Sequence, residues 1–342
     1  MATLHITNGD CAAETLRTIV AEPVVTAADV LHEGPCPPVD GDAWYDTRAR
    51  FLAGGDPVRT AEIKAGLATG DRQIVDAVRL TASSARNEIV LWFEHDLFDQ
   101  LAIIRVLDLI WRANSGSSGT PRVSLICPGA FPGVDRFIGL GQLTADQLAT
   151  LKGTGTPMTA GHFALATDAW RAFRDPNPSE LFRIAQQLTA SQVGGGETGA
   201  SLTFLADALL RFFAEYPSAA NGLSRTEEYA LERLREGPAT AGALFAATQA
   251  FEARPFLGDL TFFDTLRRLA TARVPLLAVD RETGGDLRHH QMTITEAGRQ
   301  VLALGADHVR MNGIDLWRGG VHLTGSDRSP WRWDAGAETL VS

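Results

Sequence analysis

The chain has 342 residues, 45% of them hydrophobic and 21% charged, enough for two or three domains with their own cores. Its formal net charge of −10 argues against a protein that coats nucleic acid or an anionic membrane through bulk electrostatics, while leaving room for a local basic face. The three cysteines, Cys11, Cys36 and Cys127, include no close pair, which argues against a disulfide framework or a structural zinc site.

The N-terminus lacks a basic region followed by an apolar core and a small-residue cleavage site. No stretch has the apolar length of a membrane span, so a cytoplasmic protein is expected, with no membrane partner. Residues 4–7 read as a short strand, followed by the turn Asn8-Gly9-Asp10. A helix then carries Leu16, Ile19 and Val20, with Asp10 placed as its N-cap. Residues 23–25 and 30–31 suggest a second extended region that ends in His32-Glu33-Gly34-Pro35. A mostly helical stretch over 44–82 precedes an apolar strand at 89–93.

That strand runs directly into Glu94, His95 and Asp96. Leu97, Leu101, Ile104, Leu107 and Trp111 then form a helical stripe. Residues 115–121 read as a loop and 123–127 as another strand. Strands alternating with helices imply an open, mostly parallel, Rossmann-like α/β sheet over residues 1–143. Such sheets bind ligands outside the carboxyl ends of their strands. Asn8 and Asp10, His32 and Glu33, Glu94 to Asp96, and Cys127-Pro128-Gly129 are expected to gather there.

From Thr144 the character turns helical, beginning with the capping box Thr144-Ala145-Asp146-Gln147. Helices at 160–173, 179–188 and 202–216, with a flexible loop at 194–199, make a helical segment over 144–222. A second capping box at Ser224-Arg225-Thr226-Glu227 opens a third unit, 223–310. Three helices (the second over 240–251, the third over 259–272) precede residues 275–279, a turn at 281–286 and a β-like run at 291–294. That is the order of a winged helix-turn-helix. A helix at 295–304 follows, and a tail over 311–342 with Trp317, Trp331 and Trp333 is expected to pack onto another domain.

The runs Leu4-His5-Ile6-Thr7-Asn8-Gly9-Asp10, Asp29-Val30-Leu31-His32-Glu33-Gly34-Pro35 and Leu91-Trp92-Phe93-Glu94-His95-Asp96-Leu97-Phe98-Asp99-Gln100-Leu101 resemble a bacterial family, domain-of-unknown-function family 1835. The resemblance covers the N-terminal third to half of the chain. Cys11 stands where that family is expected to carry a small Ser. The resemblance supports the domain and implies no particular reaction.

Burying titratable groups beside a core strand is costly unless they are paired, hydrated or ligated. Glu94, His95 and Asp96 are therefore the leading catalytic candidates, with His95 as general acid or base. Asp96 also suits the N-cap of the following helix, and Asp99 at its third position suits the positive end of the dipole. Asp10 either joins this chemistry or only caps a helix, and His32 belongs to the same candidate edge. Asn8, Gly9, Glu33, Asp99 and Gln100 are the candidate substrate-binding residues. Arg48 and Arg50 either bind an anionic substrate or form a solvated helix face.

A divalent metal remains open through mixed oxygen and nitrogen ligands, although no metalloprotease-like spacing occurs. Gly139-Leu140-Gly141 and Gly153-Thr154-Gly155 lack the continuation of a nucleotide-binding loop, so no nucleotide-cofactor fingerprint is present. The sequence reading is an α/β enzyme, a hydrolase or a group transferase, acting on a small polar molecule at the carboxyl edge of the N-terminal sheet. Its rivals are a ligand-responsive regulator contacting DNA through Arg267 and Arg268, and a non-catalytic adaptor; a homodimer is compatible with each. DNA is not favoured, because Asp259 and Asp264 share the helix of those arginines.

Overall fold

The computed structural model describes residues 3–27, 29–83, 87–115, 120–193, 202–280, 286–326 and 331–342. The loop expected at 194–199, most of the turn expected at 281–286 and the middle of the loop expected at 115–121 lie outside the described residues. The chain divides into two compact units. The first comprises Met1–Leu209 with Gly319–Val321, the second Leu210–Arg318 with His322–Ser342.

In the first unit β1 (Thr3–Thr7) leads into α1 (Asp10–Ile19), and β2 (Val24–Thr26) follows. The helical stretch expected as one piece is two helices, α2 (Asp42–Leu52) and α3 (Pro57–Ser83). Gly54 and Gly55 separate them with φ of 60° and 89°, a left-handed pair that a continuous helix does not accept. Next come β3 (Glu88–Trp92), α4 (Leu97–Ala113), β4 (Val123–Ile126), a 3-10 turn (Leu140–Gln142) and α5 (Ala145–Ala149). The short β5 (Thr156–Pro157) precedes α6 (Ala160–Phe173) and α7 (Ser179–Val193), and the unit boundary falls within α8 (Leu205–Phe213).

The sheet order is β2-β1-β3-β4-β5, with the first four strands parallel and β5 antiparallel. β1 lies between β2 and β3, so the connection leaving β1 (to β2) and the one leaving β3 (to β4) run in opposite directions. The gap between β1 and β3 is therefore the topological switch point of the sheet, where open α/β folds place ligands. In register, Thr7 stands beside Trp92 at this end. Both are fully buried, and Trp92 donates its indole N–H to His5 Nδ1 at 3.0 Å.

One sheet face carries Trp92 and Ile126 into a cluster with Leu16 of α1, Phe137, Leu140, Leu143 and Leu148. α4 is buried along most of its length, including Leu97, Leu101, Ile104 and Leu107. Each such side chain contributes roughly 1.5–3 kcal/mol relative to exposure. Two of its three buried charged side chains are paired: Arg105 with Asp71 at 2.7 Å and Asp108 with Arg112 at 2.8 Å, the third being Asp99 in its first turn. Tyr45 also donates to Asp71 at 3.0 Å, tying α2 to α3.

The second unit holds α9 (Arg225–Glu236), β6 (Ala239–Thr240), α10 (Ala241–Phe251), α11 (Asp259–Thr271), β7 (Leu277–Val279) and β8 (Gln291–Ile294). β8 lies between β6 and β7 in a small antiparallel sheet. Ser224 and Glu227 form the expected capping box of α9. α12 (Glu296–Leu302) is followed by a short α13 (His308–Asn312) that the sequence reading missed. The Trp-containing tail forms two paired ladders, β9 (Ile314–Arg318) with β10 (Val321–Gly325), and β11 (Arg332–Asp334) with β12 (Thr339–Val341). Within this unit Trp333 stacks on Phe213 at 6.1 Å, and its N–H donates to the Pro217 carbonyl.

Candidate functional site

The carboxyl ends of β1 and β3 are joined by α4 itself. Asp96 is the N-cap of α4, its Oδ1 accepting the Asp99 N–H at 2.9 Å. Asp99, one turn in and fully buried, accepts on both oxygens. Asn8 Nδ2 donates to Oδ1 at 2.5 Å, and the Glu94 N–H donates to Oδ2. One carboxylate thus fastens the loop after β1 to the loop after β3. Asn8 makes this bond, whereas Asp10 does not.

Asp10 corrects one expectation. The N-cap of α1 is Gly9, in extended conformation with no side-chain cap, and Asp10 is the exposed first residue of the helix. With Asn8 committed to Asp99, no side chain in the turn caps the first N–H groups of α1.

Glu94 turns toward the segment after β4. Its Oε1 accepts the Gly141 N–H at 3.2 Å, at the start of the 3-10 turn. Gly139 packs so closely on that carboxylate that a Cβ there would overlap it. Gly139→Ala is therefore expected to destabilise the fold by roughly 1–3 kcal/mol through overpacking. Gly141→Ala, whose Cβ would enter open space, serves as the near-neutral control in denaturant titration. Equal stability of the two variants would contradict the seating of Glu94 on this turn.

Three carboxyl groups now share one small region, and among the described residues no Arg or Lys pairs with Glu94, Asp96 or Asp99. Burial raises all three above the ordinary carboxylate range. For Glu94, burial outweighs the Gly141 and Leu140 N–H groups. Asp96 is pushed up to about 7, by burial first and by the Glu94 charge. Asp99 rises well above its usual value, by burial and by the Asp96 and Glu94 charges. A like-charged cluster without a counter-cation keeps protons near neutrality, as acid–base groups need.

His95 lies between two aromatic rings. Phe137 stacks on it at 5.8 Å and 15°, and Phe204 leans on it at 5.6 Å and 60°. His32 is buried and meets Phe98, the neighbour of Asp99, edge-on at 5.9 Å. The loop after β2 therefore does reach the α4 N-terminus. Thr7 Oγ1, buried at the end of β1, makes no hydrogen bond among the described residues.

The His32-Glu33 loop is held by Arg48, which is fully buried. Its guanidinium grips Asp29 at 2.7 Å and donates to the carbonyls of Val30, Glu33 and Pro35 at 2.9–3.1 Å. Arg48 is thus neither an anion-binding side chain nor part of a solvated face, while Arg50 is exposed. Glu33 contributes its backbone carbonyl to this grip, and its side chain is buried.

Neither the protein-family models nor the curated proteins contain a match to this chain.

One strand further along, a cavity of about 190 Å3 opens at the carboxyl end of β4. Gln100, Cys127, His162 and Phe204 are among its lining residues. Gln100 donates to the Glu94 carbonyl at 2.9 Å, and the Cys127 thiol reaches the same carbonyl at 3.3 Å. The cavity wall and the carboxylate cluster therefore share the backbone of Glu94. Burial pushes the Cys127 thiol above its usual range, which disfavours the thiolate. His162 and Phe204 escaped the sequence reading. Thr159-Ala160-Gly161-His162 reads only as a helix start, and Phe204 as one apolar residue of a helix.

Among the described residues, no group of three or more His, Cys, Asp or Glu side chains is arranged to hold a metal ion. No helix among them is long and apolar enough to cross a membrane. In the second unit, Arg267 pairs with Asp264, and Arg268 donates to Thr265 at 2.9 Å and is half-buried. Both arginines proposed for DNA are engaged within their own helix.

Proposed function

We propose that the first unit is an enzyme domain that binds a small polar substrate at the carboxyl edge of its sheet. The chemistry is hydrolysis or group transfer, with Asp96 as the acid–base group. The observation that carries this reading is the uncompensated set of Glu94, Asp96 and Asp99 at the β1–β3 switch point. A carboxyl poised near 7 gives or takes a proton at physiological pH. Asn8 and Asp99 hold the two loops in register, and the uncapped start of α1 offers backbone N–H groups to developing negative charge. His95 and His32 belong to the same edge, and the His95 ring is set between Phe137 and Phe204. The three sequence runs that resemble domain-of-unknown-function family 1835 coincide with these loops.

The test is a turnover screen of the whole chain with chromogenic carboxyl esters, thioesters and phosphomonoesters. The expected result is hydrolysis of one class with a pH profile centred near 7. Asp96→Asn should lower it by at least about 100-fold, the usual scale of an acid–base group. Turnover untouched by Asp96→Asn, or silence across all three classes, would count against this assignment.

A second reading, a ligand-responsive regulator in the cytoplasm, draws on the second unit. The order α9, β6, α10, α11, β7, β8, with β8 central in the small antiparallel sheet, is compatible with a winged helix and supports this reading. The ion pair of Arg267 and the net charge of −10 weigh against phosphate contacts. Retention on DNA at low salt, lost in Arg267→Ala with Arg268→Ala, would favour it.

A further inference from the structure

Among the described residues, the cavity at the end of β4 has an electrically neutral lining, with no Asp, Glu, Lys or Arg contributing to it. Its two titratable side chains are neutral as well. Burial holds the His162 imidazole below its usual value and the Cys127 thiol above its own. Leu125, Ile126, Met158 and Phe204 supply apolar walls. The volume, about 190 Å3, matches a single ring, since a void of roughly 150 Å3 accommodates benzene.

Two polar atoms in this lining have fixed roles. His162 is the third residue of α6, and its Nδ1 accepts the Thr159 N–H at 3.1 Å. A ring nitrogen that accepts an N–H carries no proton, so the neutral imidazole bears its hydrogen on Nε2. His162 is only 6% exposed, yet its Nε2 has no protein partner among the described residues and is not sealed off. It is a donor facing the cavity. Gln100 is the converse. Its Nε2 is committed to the Glu94 carbonyl at 2.9 Å, which settles the orientation of the amide. Its Oε1 accepts nothing from the described residues and stays accessible although the residue is 2% exposed. It is an acceptor facing the cavity.

We propose that this cavity binds a neutral, ring-sized molecule of the lactam or cyclic-amide class, whose carbonyl accepts from His162 Nε2–H and whose N–H donates to Gln100 Oε1. The inference rests on reading the carboxyl edge as the substrate site, and it names the class of substrate. No charged side chain of the described lining would pair with a carboxylate or an amidinium ring of the same size, so both are disfavoured. A purely apolar ring leaves the donor and acceptor without partners.

The experiment measures binding of 2-pyridone to the full chain at pH 7 by calorimetry and ligand-detected NMR, beside benzoate, benzamidinium and toluene. The expected order places 2-pyridone first. His162→Gln, which keeps an acceptor for the Thr159 N–H, and Gln100→Met should each weaken it five- to tenfold, about one hydrogen bond. Asp96→Asn, expected to abolish turnover, should leave this affinity unchanged. A failed turnover screen with intact 2-pyridone binding therefore rejects only the acid–base assignment. Equal or tighter binding of a charged ring or of toluene would overturn the lactam class. So would a 2-pyridone affinity indifferent to both variants, or no 2-pyridone binding at its solubility limit.

Discussion

Asp96→Asn should make the protein more stable at pH 8 and leave its stability nearly unchanged at pH 4. In the folded chain the Asp96 carboxyl titrates at about 7, in the unfolded chain near its ordinary value of 3.8. Between these pH values the folded state holds the extra proton, so this group's contribution to stability falls as pH rises from about 4 to about 7. Above 7 the full cost of the buried charge remains. Asn keeps the cap, because an amide oxygen accepts the Asp99 N–H as well as a carboxylate oxygen does. A gap of roughly three pH units corresponds to at most about 4 kcal/mol. Proton sharing with Glu94 and Asp99 brings the expected gain to about 2 kcal/mol at pH 8. Urea unfolding of both proteins at pH 4, 6 and 8 measures it. A carboxylate present only to cap α4 would show the opposite sign, since its charge would favour the helix dipole. Stability gained with activity lost is the signature of a group retained for function.

The second large effect is expected at Arg48. Arg48→Met should cost roughly 3–5 kcal/mol, because it strands a buried carboxylate. Asp29 would lose its ion-pair partner, and the carbonyls of Val30, Glu33 and Pro35 would each lose a donor. Arg48→Lys should recover little, since a point charge cannot span the four acceptors that the planar guanidinium reaches. Combining Arg48→Met with Asp29→Leu should restore part of the loss by removing the stranded charge. Hydrogen exchange should show the loop around His32 and Glu33 opening while α4 stays protected. A cost under about 1 kcal/mol, the usual ceiling for an exposed pair, would contradict the burial of this network.

Much of the architecture was legible in the sequence because local patterns agreed with the tertiary solution. The apolar runs of β1, β3 and β4 and the stripe of α4 marked a parallel sheet, and the acidic run after β3 marked the edge that carries the candidate site. Asp96 as N-cap and Asp99 at the third position of α4 followed from capping rules alone. What escaped was decided by contacts distant in sequence. Asp10 fits an N-cap locally, yet the chain places Gly9 there while Asn8 is drawn to Asp99. Arg48 looks like one more charged residue of an exposed helix until Asp29 and three carbonyls close around it. The pair Thr156–Pro157 is too short and too exposed for any period to reveal β5. Gln100 was legible as a candidate residue of this edge, but His162 and Phe204 reach the same cavity from a helix start and an apolar run that carry no chemical signal of their own. The emphasis on His95 has also moved. Its ring is set between aromatic neighbours, and the carboxyls beside it carry the unsettled protons.

The central claim is that this sheet edge holds a carboxyl group poised near neutrality. Carbon-detected NMR of the Asp96 side-chain carboxyl across pH 3–9 tests it most directly. The expected titration has its midpoint at about 7, moving down in Glu94→Gln as the neighbouring charge is removed. A midpoint in the ordinary carboxylate range near 4, indifferent to Glu94→Gln, would contradict it.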